Sequence, residues 1–218
     1  MRLLLIRHGQ TIDNVRGELG TAIPGPGLTA LGRAQAAAIP QALEGVPIDA
    51  IFASVMVRTQ ETAAPLAAAR GLTPVVLDGL QEITAGDLEG RSDKEAVRTY
   101  LTTLFAWWTD FSARIPGGED GTEFYARYDR AVAAIRELHP DATVAIFSHG
   151  AAIRTWAAWS SENVDAEFSR THGLENTGMV TLESTETGWV MVDWHEDPLG
   201  GDALEDESAP DPTGEPVA

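Results

Sequence analysis

The sequence predicts an α/β fold, in which short apolar strands alternate with helical segments along a chain of 218 residues. The first observation is the run LLLI at residues 3–6, since four consecutive aliphatic residues are typical of a strand buried on both faces of a sheet. A second apolar run follows at residues 143–147. The third observation is that helical patterns separate the apolar runs. Because no repeat or linker interrupts residues 1–197, we predict one domain there, followed by an acidic tail at 198–218.

The first half of the chain contains clear start and stop signals for its helices. Thr29 and Ser54 are residue types that cap helix N-termini, and Gly71 is a typical helix stop. Pro40 should kink or shorten the helix that contains it. The predicted elements are a strand at 3–6, a Gly/Pro-rich loop at 17–27, a helix at 29–43, a strand at 50–53, a helix at 54–70, a strand at 74–77 and an irregular stretch at 78–91.

The second half continues the alternation and ends in a hairpin. The turn signal at residues 186–188 separates two short apolar segments, and the second segment alternates in the way a strand does. The predicted elements are helices at 93–111 and 121–138, a strand at 143–147, a helix at 151–159 and final strands at 180–182 and 189–194.

The charge of the chain is strongly negative and unevenly spread. The formal net charge is −18, and residues 196–218 hold eight acidic residues and no basic one, which leaves −10 on the rest. That segment is rich in Gly and Pro and has little to bury, so we predict that the tail is disordered. The acidic body has no basic stripe for nucleic acid, so nucleic acid is not an expected partner. An anionic substrate would therefore need a local cationic pocket.

Several other classes are excluded by composition. The chain has no cysteine, so disulfides and thiolate zinc sites are impossible. No apolar run approaches the length of a membrane span, and the run at residues 3–6 is too short for a signal segment. We expect a cytoplasmic protein. The sequence does not indicate an oligomeric state.

Two of the predicted strands end in the same dipeptide, His8-Gly9 and His149-Gly150, although the chain has only five histidines. If these strands are neighbours in a parallel sheet, both imidazoles reach the crevice at the carboxyl ends of the strands. One histidine can then attack phosphorus while the other, protonated, neutralises an equatorial oxygen. Metal binding is the alternative use of paired histidines, but arginines nearby and the lack of a following carboxylate cluster disfavour it.

Other polar residues are expected at the same edge of the sheet. Arg7 offers a planar fork of donors, Arg58 lies on the helix after the second strand, and Asn14 follows the first motif. The N–H of Gly150 at a helix start is a further anion donor. Glu82 lies in a partly apolar loop, where a raised pKa would suit it to protonate a leaving alkoxide. Taken singly, Arg58 would be a surface arginine and Glu82 one of 33 acidic residues; together they predict a phosphate site.

The motifs and their order resemble the histidine phosphatase superfamily, the phosphoglycerate mutase-like proteins, over residues 2–195. Because several short motifs occur in the expected order, the resemblance is specific. The matching segments are RHGQT at 7–11, Asn14, LTALGRAQA at 28–36, SVMVRTQETA at 54–63, the acid loop from Leu80 to Gly90, Gly117-Gly118-Glu119 and SHG at 148–150.

The resemblance implies a three-layer α/β/α sandwich with a mixed, mostly parallel sheet, and a reaction through a phosphohistidine that needs no metal and no cofactor. In it His8 is the nucleophile, and Arg7, Arg58 and His149 form the phosphate clamp. Glu82 is the proton donor. The substrate-binding positions carried over from the resemblance or expected from the residues are Asn14, Thr21, Ile23 and Gly150.

The sequence also departs from the mutase pattern. The basic residues that cofactor-dependent mutases use for a bisphosphate are missing here, which favours hydrolysis. We therefore expect a phosphomonoesterase that acts on a small organic phosphate; the alternatives are a phosphoglycerate mutase or a non-catalytic phosphate-binding module. Asp120 replaces the usual Ser or Thr of one family motif, which we expect to place a carboxylate near the pocket. The aromatic segment 100–111 should pack mainly in the core, with one or two side chains lining the pocket as the alternative.

Overall fold

A computed structural model describes residues 1–206 and 208–214 of the chain. In this part, six strands form one sheet and seven α-helices surround it. The strands are β1 (Arg2–Arg7), β2 (Ala50–Ala53), β3 (Val75–Val76), β4 (Thr143–Ser148), β5 (Met179–Ser184) and β6 (Trp189–His195). The helices are α1 (Ile12–Arg16), α2 (Ala30–Ala42), α3 (Val57–Arg70), α4 (Lys94–Ala106), α5 (Gly121–Leu138), α6 (Gly150–Ser160) and α7 (Ala166–Thr171).

The sheet is mixed and mostly parallel, with the strand order β3-β2-β4-β1-β5-β6. The first four strands of that order are parallel to one another; β5 is antiparallel to β1, and β6 is antiparallel to β5. Strands β1 and β4 are direct neighbours, and Arg7 pairs with Ser148 at their carboxyl ends. The register places the residues that follow both strands at one edge of the sheet. The predicted fold class is confirmed.

The strand β1 shows why the fold has three layers. Leu3 and Leu5 point into one apolar core, and Leu4 and Ile6 point into a second core on the other face. Successive side chains of a strand point to opposite faces, so a run of four apolar residues requires cover on both sides. The larger core includes buried side chains of α4, α5 and α6, and the smaller core includes those of α2 and α3.

Some helix boundaries differ from the prediction for identifiable reasons. The helix α3 begins at Val57 rather than at Ser54, because the Ser54 hydroxyl bonds to other groups. Pro40 lies inside α2, which continues two residues beyond it. The helix α4 ends at Ala106, several residues before the predicted end. The short helices α1 and α7 were not predicted, because five and six residues are too few for a periodic pattern.

The C-terminal segment also differs from the prediction of a disordered tail. In its described residues, 198–206 and 208–214, it lies against the domain, and residues 211–214 are buried. Gln35 Nε2 donates to the Leu204 carbonyl across 2.8 Å, and the Leu199 N–H donates to the Thr177 carbonyl across 3.3 Å. The contacts use backbone carbonyls and single polar side chains, so apolar composition gives no sign of them. Residues 207 and 215–218 lie outside the described residues.

Candidate active site

The two histidines predicted to meet do so at the carboxyl ends of β1 and β4. The His8 N–H donates to the Ser148 carbonyl across 3.0 Å, which extends the pairing of the two strands by one residue. The centroids of the His8 and His149 rings lie 5.2 Å apart, with an angle of 60° between the ring planes. Both side chains are buried, with 2% and 0% exposure. Two imidazoles therefore share one crevice.

Gly9 is required here by close packing rather than by an unusual backbone conformation. A Cβ atom on Gly9 would lie 2.6 Å from the Gly32 carbonyl oxygen, so no larger residue fits without a shift of the backbone. Gly32 in turn approaches Gln10 so closely that its Cβ would lie 2.2 Å from the Gln10 carbonyl oxygen. Gly9 therefore lets α2 approach the end of β1.

The hydrogen bond of His8 defines which of its nitrogens can react. Nδ1 lies 2.8 Å from the carbonyl oxygen of Gly9, so Nδ1 carries the proton and donates it to that carbonyl. The pKa of His8 is well below its ordinary value because the ring is buried and because Arg58 and Arg7 oppose a positive charge. A neutral imidazole with the proton fixed on Nδ1 leaves a lone pair on Nε2, as a nucleophile requires.

His149 is held between a hydroxyl and a guanidinium. Its Nε2 lies 2.8 Å from Ser54 Oγ, and Arg58 Nε donates to its Nδ1 across 3.2 Å. Burial, followed by the charge of Arg58, lowers the pKa of His149 well below its ordinary value. The sequence predicts a protonated His149, whereas burial and the bond from Arg58 to Nδ1 favour the neutral ring. Protonation would need the added negative charge of a bound anion.

The two predicted arginines each bring a buried donor to the site. Arg7 is 0% exposed and Arg58 is 3% exposed. Among the residues that the structure describes, Arg7 Nε and Arg58 Nη1 have no hydrogen-bond partner. A buried donor without a partner costs about 1–3 kcal/mol, so such donors indicate a missing acceptor. Two guanidinium groups that both need an acceptor indicate an anion.

Glu82 lies in the same pocket at the N-terminus of α6. Its carboxylate accepts the N–H groups of Ala151 and Ala152, at 3.1 and 2.8 Å, and that of Ile83 at 2.9 Å. Burial raises the pKa of Glu82, although these N–H bonds and the charge of Arg58 oppose the change. A raised pKa is the direction expected for a carboxyl group that donates a proton. The amides of Ala151 and Ala152 are occupied by Glu82.

A partly buried ion pair supports the loop that presents Glu82. Arg127 Nη2 pairs with Glu119 Oε1 at 2.6 Å, and the same guanidinium donates to the carbonyls of Gly79, Gln81 and Glu82 at 2.9 Å each. Glu119 Oε1 also accepts the N–H of Thr84 across 2.9 Å. One arginine and one carboxylate thereby fix the first part of the acid loop on both sides of Glu82.

Asp120 and the two residues predicted from the loop after β1 lie elsewhere. Asp120 caps α5 and pairs with Arg114 at 2.5 Å, away from the pocket. The Thr21 hydroxyl donates to Glu89 across 2.5 Å and accepts the Ala85 N–H, so it joins two loops. Ile23 is 57% exposed. Neither Thr21 nor Ile23 is among the residues lining the pocket, and their contact with substrate stays a prediction.

The pocket itself contains predicted and unpredicted residues. Its lining consists of His8, Thr11, Asp13, Asn14, Glu18, Gly20, Arg58, Glu82 and Thr213. Asn14 is oriented by Thr11, whose N–H and hydroxyl both donate to Asn14 Oδ1 across 2.9 Å, so the Asn14 amide nitrogen is left to face another acceptor. Gly150 has no room for a side chain, since a Cβ would lie 2.9 Å from Arg7 Nε.

Sequence reasoning missed two kinds of site residue. Ser54, which holds His149, was interpreted as a helix cap, although its place directly after β2 is a signal that could have indicated the site edge. Thr213 comes from the tail, and nothing in its local sequence connects it with a pocket almost 200 residues earlier in the chain.

The aromatic segment packs mostly as expected. Tyr100 and Trp107 are buried in the larger core. Phe105 and Trp108 line a separate cavity beside α6 together with Arg154. None of the segment's aromatic side chains is among the residues lining the pocket of His8.

Neither a metal-binding cluster nor a membrane-spanning helix is found in residues 1–206 and 208–214. They contain no group of three or more His, Cys, Asp or Glu side chains arranged to hold a metal ion. Nor does any helix in these residues have the length and apolar character to cross a membrane.

Comparison with known sequences gives a consistent family. Residues 3–197 match the histidine phosphatase superfamily (branch 1). The chain is 37% identical over 216 residues to the PE-PGRS family protein PE_PGRS11 of Mycobacterium tuberculosis, and it aligns over 91% of its own length and 37% of that protein. It is 33% identical over 150 residues to the adenosylcobalamin/alpha-ribazole phosphatase of Escherichia coli, covering 68% of this chain and 73% of that enzyme.

Solved structures with similar folds include further phosphatases. A mycobacterial glucosyl-3-phosphoglycerate phosphatase in complex with VO3 superposes with a TM-score of 0.76 at 27% identity, covering 90% of this chain and 99% of the other. The alpha-ribazole phosphatase from Shigella flexneri superposes with a TM-score of 0.72, also at 27% identity, over 93% of this chain and 99% of that one.

Proposed function

This chain belongs to the histidine phosphatase superfamily and is a hydrolase, and we propose that it hydrolyses a small organic phosphomonoester through a phosphohistidine on His8, without a metal ion. The observation that carries this proposal is the state of His8. Its Nδ1 proton is bound by the Gly9 carbonyl and its pKa is lowered, so Nε2 is an available nucleophile in a pocket lined by Arg58, with the buried Arg7 directly before His8 in the chain. The substrate is a small molecule, and neither nucleic acid nor a cofactor takes part.

In the first step the substrate's phosphoryl group would move to His8. A phosphate bound near Arg7 Nε and Arg58 Nη1 would give both buried donors an acceptor. His8 Nε2 forms a bond to phosphorus while the ester P–O bond breaks, and Glu82 gives its proton to the leaving oxygen. Catalysis of this kind depends on positioning and on the stabilisation of charge over the phosphoryl oxygens, which the two guanidinium groups supply.

In the second step water would remove the phosphoryl group. Glu82, now ionised, takes a proton from the water while its oxygen attacks phosphorus and the P–Nε2 bond breaks. Inorganic phosphate leaves, and His8 and Glu82 return to their starting forms. The raised pKa of Glu82 supports this double role, because a carboxyl group that titrates nearer to neutrality can give and take a proton in one cycle.

The test is hydrolysis of p-nitrophenyl phosphate in the presence of EDTA. We expect turnover by the unmodified chain and none by His8→Ala. The matched control is His195→Ala, since His195 is an exposed histidine at the end of an edge strand and its loss should leave turnover unchanged. A requirement for a metal ion, or activity only after addition of a bisphosphoglycerate primer, would overturn the proposal. The cytoplasmic location stays a prediction from the sequence.

A further inference from the structure

The C-terminal segment of residues 208–214, which we call the tail segment, reaches the groups assigned above to phosphate. Asp211 Oδ2 accepts from Arg7 Nη2, and Asp211 Oδ1 accepts from the Asn14 amide across 3.2 Å. The hydroxyl of Thr213 accepts a second bond from Arg7 Nη2 across 3.0 Å. Asp211 is 5% exposed and Thr213 is 8% exposed. A carboxylate of the chain itself therefore binds a buried arginine and an asparagine of the pocket.

The tail segment is fixed on both sides of Asp211. The Gly214 carbonyl accepts the Leu174 N–H across 2.8 Å, and the Thr213 carbonyl accepts from Arg154 across 3.4 Å. On the other side, Asp206 accepts from Gln10 Nε2 across 2.8 Å, just before the segment begins. These contacts come from three different parts of the domain, so the position of Asp211 does not depend on the Arg7 contact alone.

We propose that Asp211 is an internal competitor of the substrate's phosphate, and that the tail segment must leave Arg7 and Asn14 before substrate binds. A carboxylate and a phosphate present the same feature to these donors, two oxygens that share negative charge. Asp211 takes Nη2 of the guanidinium whose Nε is assigned above to phosphate, so a phosphate that bound Nε and Nη2 side by side would have to displace it. Because Asp211 belongs to the chain, its local concentration is high and does not depend on the protein concentration.

The inference rests on the proposed function, because it takes Arg7 and Asn14 as hydrogen-bond donors to the substrate's phosphate. Its consequence is quantitative, since the apparent affinity for a ligand falls by the fraction of molecules that are able to bind it. If the tail segment is seated in about nine of ten molecules, its release would strengthen phosphate binding about tenfold.

The opposite role would be that Asp211 orients Arg7 for catalysis. In that case its removal would loosen the guanidinium and weaken phosphate binding. The two roles thus predict changes of opposite sign for the same variant, and inorganic phosphate is a sufficient probe because it needs no turnover.

The experiment measures the dissociation constant of inorganic phosphate by calorimetry in the full chain. We expect Asp211→Asn to lower the constant about tenfold, because it removes the charge and keeps the shape. Asp206→Asn, which loosens the anchor at Gln10 without touching Arg7, should lower it in the same direction and by less. Asp202→Asn removes an exposed charge of the same C-terminal region and is the matched control, with no change expected. Weaker or equal binding in Asp211→Asn would overturn the inference.

A second measurement follows the tail segment itself. The Leu174 N–H bonds to Gly214, so its hydrogen exchange reports whether the segment is seated. We expect saturating phosphate to accelerate exchange at Leu174, as Asp211→Asn does without phosphate. Phosphate that binds with unchanged exchange at Leu174 would refute the competition while leaving the proposed hydrolysis intact. Failure of phosphate to bind any variant would contradict both proposals.

Discussion

Arg58 Nε donates a hydrogen bond to His149 Nδ1 across 3.2 Å, so two groups assigned to the same phosphate bind each other in its absence. The bond requires a lone pair on Nδ1, and hence a neutral ring. Burial and the charge of Arg58 both lower the pKa of His149. A phosphate between them would replace this contact with its own oxygens and would favour the charged ring.

Phosphate should therefore raise the pKa of His149. Without phosphate, the ring should stay neutral through the range where an ordinary histidine titrates, because its pKa is well below the usual value. With saturating inorganic phosphate the pKa should rise, and by linkage phosphate binding should strengthen as the pH falls through the raised value. Titration of the histidine ring protons by NMR measures both states, and exposed His195 is the internal control. A His149 titration that phosphate does not move would contradict the assigned clamp.

Replacement of Glu82 by Gln should affect substrates according to their leaving groups. Loss of a positioned acid costs about 10²–10⁴-fold in rate where an alkoxide must be protonated. Nitrophenolate needs no such proton, so Glu82→Gln should release one equivalent of nitrophenol in a burst and then turn over slowly, because the second step lacks its base. Rapid-mixing kinetics with p-nitrophenyl phosphate and an alkyl phosphate make the comparison. Equal losses of rate with the two substrates, without a burst, would show that Glu82 takes no part in the proton transfers.

Ser54→Ala should reduce turnover without removing the fold. The variant loses the bond to His149 Nε2 and leaves the ring held by the Arg58 bond to Nδ1 alone. A buried hydrogen bond contributes about 1 kcal/mol, so we expect a fall in kcat of about fivefold to tenfold. Steady-state kinetics together with thermal unfolding separate the two effects. A large fall in the unfolding temperature with unchanged kcat would indicate a purely structural hydroxyl.

Arg127→Met should destabilise the chain and slow the reaction together. The arginine is 18% exposed and its partner Glu119 is 11% exposed, so the variant leaves a carboxylate and three carbonyls of the acid loop without their donor. Breaking such a pair costs about 3 kcal/mol. Urea unfolding measures the loss. Arg170→Met breaks a pair with Glu167 whose side chains are 38% and 67% exposed, and should change stability little. Similar losses of unfolding free energy in both variants would contradict the claim that the Arg127 pair contributes more to stability than an exposed pair.

Much of the catalytic pocket could be predicted because its residues follow secondary structure signals. His8 and His149 come directly after apolar strands, and parallel neighbours bring strand ends together. Arg58 lies one residue inside α3, at the same edge. Each prediction needed only a local pattern and a rule of sheet topology.

The remaining contacts could not be predicted because they join distant and irregular segments. The Glu119 and Arg127 pair supports a loop some 40 residues earlier, and Asp211 meets Arg7 across nearly the whole chain. The acidic, Gly/Pro-rich composition of the tail indicates disorder when burial of apolar surface is the criterion. In the structure the carboxylates of Asp206 and Asp211, the Thr213 hydroxyl and a few carbonyls hold the tail together with the buried Leu199, and composition does not report such specific contacts.

The most direct test of the proposed function is identification of the phosphorylated residue. The enzyme is mixed with p-nitrophenyl phosphate, quenched in alkali within the first turnover and digested for mass spectrometry, with Glu82→Gln used to accumulate the intermediate. We predict one phosphoryl group on His8 that survives alkali and is lost in acid, as a phosphorus–nitrogen bond should be, and none in His8→Ala. A phosphoryl group on another residue, or an adduct stable in acid, would contradict the mechanism.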